Sequence, residues 1–339
     1  MTGRKQKMNL IQLLNVNETA LWSDVCQNNI GDCYFLAALS SVAWTNPFWI
    51  KNVTALRCRY SDGIKQYSPW HEISFYVPSN SYKSSRKWSD KKETIQPIVV
   101  SEDVLVYSAS GYNYGASGPK EKQGKMGTSK TDMDACWAAV YEKAYAKFLQ
   151  RTDSDFPNMD QPISGGYADD ALKEILHTTK VKSVALNNLS TNQILDIAKQ
   201  AHRKPVCASI HKYCSTLNNA AKTKVYYSEA GTQEEYLKMG LYIGHVYSVF
   251  DYFTINNKTY IVIRNPHGRN LNALKGNPKV YHKNWGFSYG VNPQPAYRDS
   301  YDIYQYLNGT DDPQTSQGLF LMEIDEFKRV FSSIQYCYD

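Results

Sequence analysis

The sequence predicts an α+β fold of two domains, with a mainly helical N-terminal half and a mainly antiparallel β C-terminal half. The chain has 339 residues, which is enough for two domains of ordinary size. In the first half, apolar residues recur at helical spacing over Cys33–Ala43 and Asp134–Gln150. In the second half, short runs of β-branched and aromatic residues alternate with turn residues. We therefore divide the chain into residues 1–178 and 179–339.

Further elements follow from the same patterns. The first half contains a third helical pattern at Asp169–His177 and strand candidates at Ile73–Val77 and Ile98–Val106. The second half contains one helix, Thr191–His202, and the strand-like runs KVKSVAL, KPVCASI, HVYSVFDYF and TYIVIRN. A cleft between two domains of this kind is a common place for a site.

Composition and charge exclude several classes of protein. Hydrophobic residues make up 42% and charged residues 21% of the chain, which is typical of a soluble globular protein. The net charge of +6 is modest, and the most basic stretches of the chain also contain serine and acidic residues. We therefore expect no nucleic-acid partner. The start, MTGRKQKMNLIQLLNV, lacks a cleavage site and is not expected to be a signal peptide. No membrane-spanning segment is expected. The sequence is compatible with a cytoplasmic protein and with a protein exported from a longer precursor. A monomer is expected.

One of the seven cysteines lies in a setting that favours reactivity. The cysteine count is odd and no Cys-x-x-Cys pair occurs, so a zinc ribbon or a disulfide scaffold is not expected. Cys33 follows Asp32, a suitable N-cap, and therefore lies in the first turn of a helix that continues as a long apolar run. Free backbone N–H groups and the helix dipole there favour a thiolate. A buried, inert cysteine is the alternative interpretation.

A histidine and an asparagine are placed to assist such a thiolate. His245 begins an alternating strand, the sequence INNK supplies a turn near residues 255–257, and the returning strand brings Asn265 back towards His245. An amide can orient an imidazole without neutralising its charge, so Cys33, His245 and Asn265 match a Cys-His-Asn catalytic set. Gln27, six residues before Cys33, could supply an oxyanion-hole amide.

Six blocks in order resemble the calpain family of papain-like cysteine peptidases. They are DVCQNNIGDCYFLAALSSVA, CWAAVYEKAYAKFLQ, SGGYADDALKEIL, GHVYSVFDYF, IRNPHG and GLFLMEIDEFKRVFSSIQYC, and they extend from Asp24 to Cys337. The resemblance implies a calpain protease core, with a helical subdomain and an antiparallel β subdomain flanking a catalytic cleft. Within the family, the chain is similar to bacterial calpain-like thiol proteases reduced to this core.

The resemblance also implies roles for individual residues. Cys33 would be the nucleophile, His245 the acid/base, Asn265 the orienting amide and Gln27 part of the oxyanion hole. Three glycines match positions whose backbone pairs with an extended peptide substrate: Gly165, Gly166 and Gly244. No organic cofactor is implied.

The sequence departs from the family pattern at several places. Tyr34 stands where the family has tryptophan, and His267 replaces a tryptophan that shields the catalytic residues, for which Trp285 is a substitute candidate. Calpain cores bind two calcium ions through oxygen ligands. For the first calcium ion, Asp24 matches one carboxylate ligand of the family, but the position of the family's second ligand, a glutamate, is occupied here by Ala135, beside Asp134. For the second calcium ion, Asp311 and Asp312 are near the expected positions but out of register with the family's ligands.

The sequence therefore predicts a cysteine endopeptidase acting on proteins or peptides, with calcium as a possible activator. Two other hypotheses stay open. An amide-transfer enzyme would use the same residues with an amine acceptor. A catalytically silent binding module would retain the fold alone, and the presence of Cys33, His245, Asn265 and Gln27 together argues against it.

Overall fold

The chain forms two compact units, Met1–Lys180 and Val181–Asp339. The computed structural model describes residues 3–6, 20–28, 30–61, 64–77, 94–101, 104–107, 137–159, 162–210, 233–255, 257–281 and 317–339. Both units combine helices with antiparallel sheets, and the predicted α+β class is confirmed.

Four α-helices form in the described part of the first unit, and two of them contribute to an aromatic core. The four helices are α1 (Cys33–Thr45), α2 (Pro47–Asn52), α3 (Trp137–Gln150) and α4 (Ala168–Leu176). Every residue of α1 is buried, which explains its continuous apolar sequence. Phe35 of α1 stacks on Tyr145 of α3 with ring centroids 3.9 Å apart, and this pair packs against Phe75. The nucleophile candidate therefore begins a helix that is held on all sides.

The first unit also contains two antiparallel sheets. Strand β1 (Gly3–Gln6) pairs with β5 (Val104–Tyr107), and a three-stranded sheet has the order β2 (Thr54–Ser61), β3 (Ile64–Val77), β4 (Thr94–Ser101). This half therefore carries strands beside its helices, more of them than the sequence patterns indicated. Asp62-Gly63, between two strand-like runs, was an available hairpin signal. The predicted strand Ile98–Val106 is two strands in different sheets.

The second unit is built on one seven-stranded antiparallel sheet in the order β10, β11, β9, β8, β7, β12, β6. Its strands are β6 (Val181–Ala185), β7 (Val206–Ile210), β8 (His245–Ile255), β9 (Lys258–Arg264), β10 (Val280–Tyr281), β11 (Leu319–Glu323) and β12 (Ser333–Cys337). The four predicted strand runs are all present. The central β8–β9 hairpin carries the histidine and asparagine singled out in the sequence.

Three helices of the second unit pack with this sheet: α5 (Thr191–Gln200), α6 (Gln233–Lys238) and α7 (Ile324–Val330). A capping box begins α5, because Ser190 accepts from Gln193 N while the Gln193 side chain accepts from Ser190 N. Ile194, Val249 and Phe327 belong to one apolar core that joins the helices to the sheet. Burial of this core stabilises the hairpin from beneath.

Five residues singled out in the sequence lie outside the described residues, namely Asp134, Ala135, Trp285, Asp311 and Asp312. Among the helices that the structure describes, none combines the length and apolar character needed to cross a membrane.

Candidate active site

Cys33 is the first residue of α1, as its sequence context predicted. It retains 9% of its accessible surface, whereas Phe35 and Leu36 behind it retain none. The Asp32 carbonyl accepts hydrogen bonds from Phe35 N and Leu36 N at 2.9 and 3.1 Å, so the first turn is well formed. The sulfur is therefore held at the positive end of a 13-residue helix dipole.

The Asp32 side chain does not cap this helix, although Asp32 occupies the N-cap position. Its carboxyl is fully buried and interacts with Glu142 of α3, itself 1% exposed. Burial, followed by the charge and the hydrogen bond of Glu142, raises the pKa of Asp32 well above its usual range. The raised pKa disfavours a negative charge on the residue that directly precedes Cys33. The sequence did not reveal this pair, since 110 positions separate the two residues in the chain (142 − 32).

Gln27 lies in the loop that leads to Cys33, and its side chain is buried. Its Nε2 donates to the Ile30 carbonyl at 2.7 Å and lies 3.5 Å from Asp32 Oδ1. The short hydrogen bond fixes the side chain within the turn. The longer contact is at the limit of a hydrogen bond, so this second N–H is weakly held.

His245 and Asn265 are joined by a buried hydrogen bond in the second unit. His245 begins β8, and Asn265 directly follows β9. Their Nε2 and Oδ1 atoms are 2.9 Å apart, and the two residues are 6% and 1% exposed. The Asn265 oxygen also accepts from His267 N at 3.1 Å, which identifies it as the amide oxygen. Because it can only accept, Nε2 carries the proton and the lone pair of the neutral ring is on Nδ1.

Burial makes the His245 ring hard to protonate. Burial first, and then the nearby His267, lower the pKa of His245 to about 3, while the hydrogen bond with Asn265 acts in the opposite direction. The ring is therefore neutral at pH 7 within its own unit. A negative charge brought close to Nδ1 would favour its protonation.

Two rings beside His245 were not assigned a part by the sequence. His267 stacks on His245, and Tyr242 contacts both imidazoles. The sequence signal was available: His267 follows Asn265 by two residues at the end of β9 and so stays at the same end of the sheet.

The three candidate substrate-binding glycines have different surroundings. Gly165 has a φ of +75°, and a Cβ there would meet nothing within 4 Å. Gly244 also has positive φ, +64°, directly before His245. A Cβ on Gly166 would lie 2.5 Å from the Tyr34 ring, so packing accounts for that glycine.

A fourth glycine, missed in the sequence, supports Asn265. Gly318 has a φ of +81°, and its carbonyl accepts from Asn265 N at 2.9 Å. A Cβ at this position would lie 2.3 Å from the Asn265 carbonyl oxygen. Asn270 Nδ2 donates to the adjacent Leu319 carbonyl at 3.1 Å and holds the same crossing. Gly318 thus allows two backbone segments to approach beneath the asparagine.

The Asp24 carboxylate is engaged in hydrogen bonds within the first unit. Its Oδ2 accepts from Trp137 Nε1 at 2.8 Å and from Leu21 N at 3.1 Å, and the residue is 4% exposed. Within the described parts of the chain, no three histidine, cysteine or acidic residues form a group able to hold a metal ion. In this setting the Asp24 carboxylate joins the start of α3 to the segment before α1.

Comparison with known proteins places this architecture in a family. The family model described as "Calpain family cysteine protease" matches residues 117–338, which includes His245, Asn265 and the glycines but begins after Cys33. A thiol protease of Porphyromonas gingivalis strain ATCC BAA-308 / W83 is 23% identical over 321 residues. That alignment covers 94% of this chain, and so reaches the segment around Cys33, but 55% of the relative. The chain thus spans about half the length of this curated relative. It belongs to the calpain family of cysteine proteases.

Proposed function

We propose that the protein is a cysteine endopeptidase with Cys33 as nucleophile, His245 as general acid and base, and Asn265 as the residue that orients His245. The observation that carries the proposal is the buried 2.9 Å hydrogen bond between His245 and Asn265 at the ends of adjacent strands. It leaves Nδ1 as the basic atom of the neutral ring. Cys33 at the start of a buried helix supplies the complementary acid.

The reaction proceeds by acyl transfer. Nδ1 of His245 takes the proton of the Cys33 thiol, and the sulfur attacks the peptide carbonyl carbon. The imidazolium then gives its proton to the leaving amine as the C–N bond breaks. In the second half, His245 takes a proton from water, whose oxygen attacks the thioester and releases the acid and the free thiol. Asn265 accepts from Nε2 throughout and holds the ring in one tautomer.

The oxyanion that forms on the substrate carbonyl needs donors. The Cys33 backbone N–H at the helix start provides one, and Gln27 Nε2 provides the other by exchanging its 3.5 Å contact with Asp32 for the substrate oxygen. Its 2.7 Å hydrogen bond to Ile30 stays in place and keeps the amide near the nucleophile.

The proposed substrate is an extended segment of a protein or peptide. Glycine permits close approach of a substrate backbone, and Gly165 has open space where a side chain would be. The Gly165 N–H is already donated to the Gly31 carbonyl at 2.9 Å, so a substrate N–H would pair with the Gly165 oxygen. Gly244, directly before His245, offers a second point of approach. We propose a monomer without nucleic-acid partner or organic cofactor.

The test is cleavage of casein under reducing conditions by the wild type, Cys33→Ala and Cys337→Ala. Cys337 is a matched control because it is a free, partly exposed cysteine whose pKa burial raises to about 12, which keeps it unreactive. We expect Cys33→Ala to lose cleavage by at least about 10³-fold and Cys337→Ala to retain it. The same assay with millimolar calcium tests whether the metal activates cleavage. The mechanism above assigns no role to Asp24.

Labelling with an epoxide inhibitor separates the other hypotheses. Modification of Cys33 without cleavage, together with incorporation of an added amine, would identify an amide-transfer enzyme. Failure of both labelling and cleavage would support a binding module and contradict the proposed function.

A further inference from the structure

The His245 imidazole is stacked face to face on a second imidazole. The ring centroids of His245 and His267 are 4.8 Å apart and their planes differ by 6°. The Asn265 oxygen binds both residues, since it accepts from His245 Nε2 at 2.9 Å and from the His267 backbone N–H at 3.1 Å. Side-chain and backbone contacts through one atom therefore set the distance between the two rings.

Two tyrosines enclose this stack. Tyr242 contacts His245 and His267 with centroid distances of 5.5 and 5.4 Å. Tyr247 meets the His245 ring edge-on at 4.8 Å, and its hydroxyl accepts from Tyr242 N at 2.9 Å. The enclosure limits movement of both imidazoles and keeps them in contact.

Charge on one ring must affect the other at this separation. Like charges a few ångströms apart disfavour double protonation, and the two groups then titrate as a pair. Among the residues that the structure describes, the other titratable or charged groups found at the stack are the two tyrosines and Arg269, which acts on Tyr242. Phenol and guanidinium side chains supply no negative charge in mild acid, so these groups do not offset a proton on His267.

We propose that His267 positions His245 by stacking and that protonation of His267 suppresses protonation of His245. The proposal rests on the catalytic part assigned to His245 above. At neutral pH the His245 ring is uncharged and can accept the thiol proton. In mild acid His267 takes a proton first, and the positive charge opposes formation of the His245 imidazolium. Proteolysis would then fail in acid at a pH set by His267.

The test uses NMR titration of labelled histidine rings in the Cys33→Ala protein, which keeps every histidine and requires no activity. His267→Phe preserves a flat ring without a titrating group, and His267→Gln removes both ring and charge. We expect the pKa of His245 to rise by about one unit in both variants. His202→Gln is the control, because it removes another histidine of the same unit and should leave the His245 titration unchanged.

Activity profiles with Cys33 intact test the positioning part. We expect His267→Phe to extend cleavage to lower pH with kcat within about threefold of wild type, and His267→Gln to lower kcat because the ring loses its stacking partner. An unchanged His245 titration in both variants would overturn the proposal. A shifted titration in an enzyme that cleaves nothing would support the coupling and overturn the proposed function instead.

Discussion

Replacing Gly318 by alanine tests whether the backbone crossing beneath Asn265 positions the proposed orienting amide. Alanine at a φ of +81° costs roughly 1–2 kcal/mol of stability. Its Cβ would also lie 2.3 Å from the Asn265 carbonyl oxygen, and relief requires movement of backbone, since neither atom belongs to a flexible side chain. Overpacking of this kind costs roughly 1–3 kcal/mol. The total is about 2–5 kcal/mol.

The consequence is a loss of both stability and catalysis. For a unit of this size, each kcal/mol lowers the melting temperature by about 2–4 °C, so we expect a decrease of about 10 °C. Asn265 N donates to the Gly318 carbonyl, so movement of the Gly318 backbone also moves Asn265. A movement of several tenths of an ångström would displace the Asn265 side-chain amide relative to His245. A misplacement of about 1 Å can cost about 10²-fold in rate, so we expect kcat to fall by up to about 10²-fold.

The assay combines thermal unfolding with casein cleavage, and Gly276→Ala is the matched control. Gly276 lies in the same unit, has no positive φ, and a Cβ there meets nothing within 4 Å. This control should melt and cleave as the wild type does. If Gly318→Ala melted within about 1 °C of the wild type and retained full kcat, the inference that the Gly318 backbone positions Asn265 would be wrong.

Three further changes test other parts of the structure. Gly166→Ala should destabilise the first unit by about 1–3 kcal/mol through the clash with Tyr34, measured by urea unfolding, and Tyr34→Ala should relieve part of that loss in a double-mutant cycle. Asp24→Ala should lower the free energy of unfolding by about 1–3 kcal/mol, because the Trp137 indole N–H loses its acceptor. The calcium response of cleavage should be the same in this variant as in the wild type. A calcium response that disappears in Asp24→Ala would identify Asp24 as a calcium ligand. Because the pKa of His245 is lowered in the folded protein, the unfolded chain binds that proton first, and the free energy of unfolding should decrease as pH falls from about 6.5 towards 3. The free energy of unfolding is measured at pH 7 and pH 5 for Cys33→Ala and for Cys33→Ala/His245→Asn. The double variant should show the smaller change between the two pH values.

The sequence was sufficient where a pattern is local. The long apolar run after Cys33 predicted a buried helix, and its observed start coincides with that cysteine. Alternation and a turn sequence predicted the hairpin of β8 and β9, and the turn falls between Ile255 and Lys258. These features depend on neighbours within about 20 residues, whose side chains decide the conformation largely by themselves.

Long-range pairings were out of reach. The register of β8 and β9 shifts between Val249 and Asp251, and such a bulge changes which residues face each other without a signature in the alternation. The approach of Gly318 to Asn265 depends on the pairing of β11 with β9, which a separation of 53 positions (318 − 265) conceals. For the same reason the Asp32–Glu142 pair could be found only in three dimensions.

Burial acts in opposite directions on the two members of the proposed catalytic pair, since it favours a charged Cys33 and a neutral His245. In the first unit, the raised pKa of Asp32 disfavours a negative charge that would oppose a thiolate on Cys33. In the second unit, burial lowers the pKa of His245 and opposes an imidazolium. The dipole of α1 favours the thiolate, but the isolated imidazole does not accept its proton at pH 7. Transfer of the proton therefore becomes favourable only when thiolate and imidazolium stabilise each other, so the proposed pair predicts that His245→Asn abolishes reactivity of Cys33 towards an epoxide even when both units stay folded.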